Sequence, residues 1–144
     1  YLKGPGLFSA PFLGFAAVGH PVHRATLDVR GFCELPHITI EPVSAQIYNV
    51  QIDAALEPFH LRRKVQMIKP SFLALPFVLE TSDMVASIPA RLARRMMRMA
   101  QVEPFDLPLD LPTFDVKMLW HPRTDHSPAH MWLREVMADC AKHT

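Results

Sequence analysis

Short apolar runs, cut by polar or proline-bearing breaks, make up most of the chain, and they are of strand or short-helix length. The densest succession lies between Lys69 and Met96. Ser71 precedes the almost wholly apolar residues 72–79, the pattern of a capped, buried helix. Thr81, Ser82 and Asp83 break that run, and residues 84–88 form an apolar segment of strand length. Pro89 then occupies a position favoured at a helix start, and Arg91, Arg94, Arg95 and Arg98 supply that helix with a wet face. Helix, strand, helix is the grammar of an α/β fold around a parallel sheet.

The flanks follow the same logic. Residues 7–18 are uncharged and apolar and predict one buried strand closed by Gly19, His20 and Pro21. A secretory leader is the competing reading, but Pro11 interrupts the run and no small-residue cleavage signal follows. The run is also too short to span a membrane. Asp28 predicts a cap for a helix over 28–35, with Val29 and Phe32 turned inward. Residues 37–40 and 64–68 read as strands. Between them Asn49 predicts the cap of a helix whose apolar face is Ile52, Ala55, Leu56 and Phe59. Residues 105–109 and 114–120 predict two more strands. Ser127 and Pro128 open a last helix, with Trp132, Leu133, Val136, Met137 and Cys140 as its buried stripe and Arg134, Glu135, Asp139 and Lys142 as its solvated face. Residues 12–18 and 84–88 flank a compact stretch, 20–82, and are expected to be neighbouring strands.

Composition narrows the function more than the fold. At 144 residues and 49% hydrophobic, the chain can build a core. A net charge of +1 gives no electrostatic case for nucleic-acid binding by these residues, and no specific DNA binding by them is expected. The arginines of 91–98 read as a solvated helix face. Cys33 and Cys140 lie far apart and read as reduced thiols, which fits a cytoplasmic protein.

No catalytic or metal constellation emerges. The eight histidines lack a convergent set of three or four ligands, and no metal or other cofactor is expected. Ser71 has no Gly-x-Ser-x-Gly context, Cys33 lacks an activating neighbourhood, and Asp106 and Asp110 are simply exposed beside strands. With five glycines there is no phosphate-cradling loop. The chain therefore reads as a binding module, not an enzyme. Ligands of open α/β folds sit at strand carboxyl ends, where helix N-termini favour an anion such as a carboxylate. Two predicted helix starts meet that description: residues 44–49 and residues 70–72.

Ser82-Asp83-Met84-Val85-Ala86, the Ile88-Pro89 step, and Trp120-His121 followed by Pro128 and Trp132-Leu133-Arg134 together resemble the C-terminal part of LysR-type transcriptional regulators. The similarity is greatest to the branch that senses aromatic acids, and it runs over about residues 7–140. It implies a periplasmic-binding-protein-like, two-lobed, Rossmann-type α/β fold, with 20–82 as subdomain II. Residues 1–19 and 83–144 would then be hinge strands and part of subdomain I. The first residue is Tyr, and no helix-turn-helix or linker helix is seen. The resemblance therefore implies N-terminal truncation and apolar surface left exposed. It also implies a small-molecule inducer, a carboxylate, held between subdomains with Ser71, Phe72, Asn49, Tyr48 and Phe15 as contacts. DNA would be bound only through the missing segment, by a homo-oligomeric parent without membrane attachment. A transport-type solute-binding protein is the rival with the same architecture, and a small α/β enzyme is a second; a helix-turn-helix or a signal peptide upstream would separate the first two.

Overall fold

A computed structural model describes residues 2–41, 47–69 and 71–143, with the side chains of Ile47 and Tyr48 left outside the described set. The chain divides into two compact units, residues 11–112 and residues 1–10 with 113–144.

In the larger unit, β2 (Phe12–Ala17) is the middle strand of an antiparallel sheet, between β5 (Ala86–Pro89) and β6 (Val102–Phe105). Phe12 faces Pro89 and Phe15 faces Ala86, so the two expected neighbours do pair. Gly14 lies opposite Phe105, and a Cβ there would sit 2.3 Å from the Phe105 ring, which reserves the position for glycine. β3 (Pro36–Ile40) and β4 (Lys64–Lys69) pair in parallel, and His37 bridges to Val85 in the same sense. Parallel strands need a crossover, and α2 (Ile47–Leu56) lies within it. β3 is buried along nearly its whole length, the polar His37 and Thr39 included, whereas β4 is mostly exposed and carries Lys64, Gln66 and Lys69.

Three short helices complete this unit: α1 (Val29–Glu34), α3 (Leu75–Glu80) and α4 (Ala90–Met96). The Asp28 carboxylate caps α1, accepting from the Gly31 N–H at 2.7 Å. One core cluster joins Phe15, Ile38, Ile40, Leu75, Leu79, Ile88, Met96 and Val102. A second joins Phe32, Cys33, Ile52 and Leu56.

Several expectations are corrected. Residues 7–18 are not one strand. Pro11 has no N–H to offer a ladder, and it separates β2 from β1 (Gly6–Ala10) of the other unit. Asn49 does not cap α2, which is already helical from Ile47; its amide reaches back instead to Ile40 O at 3.4 Å and Glu41 Oε1 at 3.5 Å. Phe59 is exposed because α2 ends at Leu56 and a tight turn through His60, at φ 55°, leads the chain away. Ser71 does cap, accepting from the Leu73 N–H at 3.2 Å, but what it caps is a single 3-10 turn, Phe72–Ala74. α3 follows only at Leu75, with Pro76 in its first turn, where a missing N–H is harmless. Pro89 closes β5 and caps α4 without entering it. The strand expected at 105–109 lies at Val102–Phe105, on a sheet edge that tolerates Pro104.

In the smaller unit, β1 pairs antiparallel with β7 (Phe114–Lys117), and a lone bridge links Lys3 to Trp120. The strand expected over 114–120 is thus shorter. α5 (Pro128–Lys142) buries none of its residues, and its supposed core stripe is exposed, with Trp132 at 64%. Arg134, expected in solvent, is half-buried. Its guanidinium lies 4.5 Å from the Trp120 ring centroid and donates to the carbonyls of Thr124 and Asp125. Trp120 Nε1 donates to Asp125 Oδ1 at 2.7 Å, and this bond, with that from Lys3, holds the Asp125 carboxyl below its usual range. A polar knot holds α5 to the 120–125 turn, and the helix also contacts β1.

Candidate functional site

The larger unit contains one small enclosed crevice that unites several candidate residues. Ile38, Thr39 and Ile40 of β3 line it, with Ser87 and Ile88 of β5, Asn49 of α2, Phe72 of the 3-10 turn, and Arg63 just ahead of β4. β3 is buried along most of its length and presents Ile38 and Ile40 here, with Thr39 between them. The void measures about 10 Å³, room for about one water.

Arg63 dominates its electrostatics. Its side chain is only 3% exposed, yet its ion-pair partner Asp53 is 59% exposed. Nε and Nη2 donate to Asp53 Oδ1 at 3.0 and 2.7 Å, and Nη2 also donates to Asn49 Oδ1 at 3.2 Å. Asn49 thus ties the guanidinium to the end of β3 through its own bond to Ile40 O. Ser87 Oγ is buried and has no hydrogen-bond partner among the described residues. A buried cation paired to Asp53, an unpaired hydroxyl and a wall of isoleucine and phenylalanine thus meet around this void.

Of the predicted contacts, Asn49 and Phe72 meet in this crevice. Ser71 is exposed and does not line it. Phe15 is fully buried in the cluster that holds Ile38, Ile40 and Ile88, so it acts on the crevice only through them. The Tyr48 side chain lies outside the described residues. Arg63, Ser87 and Thr39 were missed. Arg63 stands in the run Arg62-Arg63-Lys64, which marks a basic stretch but not which member turns inward.

Two wider grooves lie on the same unit. One, of about 710 Å³, is lined by Asp53, Glu57, His60, Arg62 and, again, Arg63. The other, of about 730 Å³, is lined by Val22, His23, Glu103, Phe105 and Leu107 among others. Among the described residues no group of three or more His, Cys, Asp or Glu could hold a metal ion, and no helix is long and apolar enough to cross a membrane. Both cysteines are free, and burial pushes the Cys33 thiol above its ordinary pKa.

The LysR substrate binding domain, as a family model, matches residues 6–141. The HTH-type transcriptional activator NahR of Pseudomonas putida is 31% identical over 125 residues, which is 83% of this chain and 39% of NahR. The HTH-type transcriptional activator NagR of Ralstonia sp is 26% identical over 120 residues, again 83% of this chain and 39% of its relative. The chain therefore spans about two fifths of the length of these regulators. Among solved structures, the regulatory domain of MexT, a transcriptional activator in Pseudomonas aeruginosa, superposes with a TM-score of 0.81 at 25% identity, covering 95% of this chain and 66% of that one. The effector binding domain of QuiR in complex with shikimate gives a TM-score of 0.72 at 12% identity over 99% of this chain and 66% of that one, a likeness of fold alone. The periplasmic-binding-protein-like α/β fold expected from the sequence is the fold of these neighbours.

Proposed function

The chain belongs to the LysR family through its substrate-binding domain, and from that membership we propose that it is the part of a DNA-binding transcriptional regulator that senses a small organic acid, aromatic in character. The observation that carries this reading is the crevice in which Asn49 and Phe72 meet a buried arginine, within a family whose domain binds effectors. Residues 20–82 serve as subdomain II, and residues 1–19 and 83–144 serve as hinge strands and subdomain I. Asn49 and Phe72 contact the effector in the crevice, Ser71 acts on it from beside Phe72 and outside the crevice lining, Tyr48 is the fourth proposed contact, and Phe15 supports the floor through its core neighbours. The parent protein binds DNA through a helix-turn-helix outside these residues, works as a homo-oligomer in the cytoplasm, and uses neither metal nor catalysis. A transport-type solute-binding protein shares the architecture, but the regulators among its relatives favour the sensing role.

Ser71→Asp in the full chain tests this. Aspartate keeps the cap, so the melting temperature should hold. A new carboxylate beside Phe72 repels an acidic effector; like charges about 6 Å apart at an effective dielectric near 20 interact by up to about 3 kcal/mol, so a loss of roughly tenfold in affinity is expected after screening. Binding of an aromatic acid that is unaffected by the substitution would remove Ser71 from the site.

A further inference from the structure

We propose that Arg63 and Ser87 form the seat for the effector's carboxylate, and that Asp53 is the internal carboxylate the effector displaces from Arg63. This rests on the reading of the chain as a sensor of a small organic acid. Three features point the same way. Ser87 Oγ is buried without a hydrogen-bond partner among the described residues, an arrangement that disfavours the folded state unless a ligand or water supplies one. The Arg63 side chain, 3% exposed, lines the same crevice. Its compensating charge comes from Asp53, which is 59% exposed and so gives up its partner to solvent at low cost.

The stoichiometry of charge selects the ligand. One arginine, already half-committed to Asp53 and held by Asn49 Oδ1, balances a monoanion and not a dianion. Ile38, Ile40, Phe72 and Ile88 provide the apolar surround for the body of that molecule. At about 10 Å³ the crevice is closed to anything larger than about one water, so entry requires a lining side chain to move. Arg63 also lines the groove of about 710 Å³ that contains Asp53, which gives the displaced Asp53 carboxylate a wet place to go.

The test uses the full chain, with benzoate, ring-hydroxylated benzoates, the matching benzamides and inorganic sulfate as probes. Thermal shift and calorimetry are run on the wild type, Ser87→Ala, Asp53→Asn and Arg63→Gln. At least one acid should bind while its amide and sulfate do not. Ser87→Ala should leave the unliganded melting temperature unchanged or higher, because it removes an unsatisfied group, yet weaken the acid about tenfold. Asp53→Asn should tighten the acid several-fold by removing its competitor, and Arg63→Gln should abolish binding. If Arg63→Gln fails to fold, the opposite effects of the other two variants still decide. An acid that binds all three variants as it binds the wild type overturns the seat and leaves the sensing role standing. Sulfate binding equal to that of the acids also overturns the seat. Failure of every acid to bind the wild type overturns the sensing role itself.

Discussion

His37 carries the clearest consequence at the scale of one residue. Its ring is fully buried, edge-on to Phe32 with centroids 4.7 Å apart. Nε2 lies 2.7 Å from the Phe32 carbonyl and must donate to it, which leaves Nδ1 as a buried acceptor without a partner among the described residues. Burial pushes its pKa from 6.5 down to about 4. Between those values the unfolded chain binds the extra proton, so stability is full above about pH 6.5 and falls as the pH drops toward 4. The loss at about pH 5 relative to about pH 7.5 is about 2 kcal/mol. Urea unfolding at both pH values should show that increment in the wild type and lack it in His37→Leu; equal losses in both would contradict the account. Gly14 makes a steric prediction. Gly14→Ala drives a methyl into the Phe105 ring and should cost about 1–3 kcal/mol, a cost that Phe105→Leu partly restores in the double variant.

At the scale of the element, α5 shows where pattern reading stops. Its apolar stripe was legible from the spacing of Trp132, Leu133, Val136 and Met137, because a 3.6-residue period places them on one face. What covers a stripe is a tertiary matter, and among the described residues these four side chains stay exposed. Trp132→Ser and Leu133→Ser should therefore change the stability of the chain by less than about 0.5 kcal/mol each. Both should reduce self-association, read by sedimentation, since exposed apolar patches drive it. A stability loss of several kcal/mol would mean that the stripe is packed. α1 is the opposite case. The Asp28 cap was legible because it is purely local, and Asp28→Ala should cost about 1 kcal/mol in denaturant unfolding.

At the scale of the whole molecule, the fold was readable where short strand-length segments alternate with helix signals. β3 is buried, β4 returns parallel to it after α2, and β2 pairs β5. The family resemblance was legible in the order of Ser82–Ala86, Pro89, Trp120-His121 and Trp132–Arg134, and Trp120 and Arg134 prove to be stacked partners. The crevice was only half legible. Phe72 sits at a break that sequence flags, but Ser87 is one small residue in a strand and Arg63 one of several basic ones, and only packing brings them together. The central claim, that the larger unit receives a small acid at this crevice, is tested most directly by amide chemical-shift mapping of the labelled chain during titration with an aromatic acid. The account predicts that shifts gather at Asn49, Arg63, Phe72 and Ser87 while α5 stays unmoved. Shifts that gather instead along the His23–Phe105 groove, or no shifts with any acid tried, would contradict it.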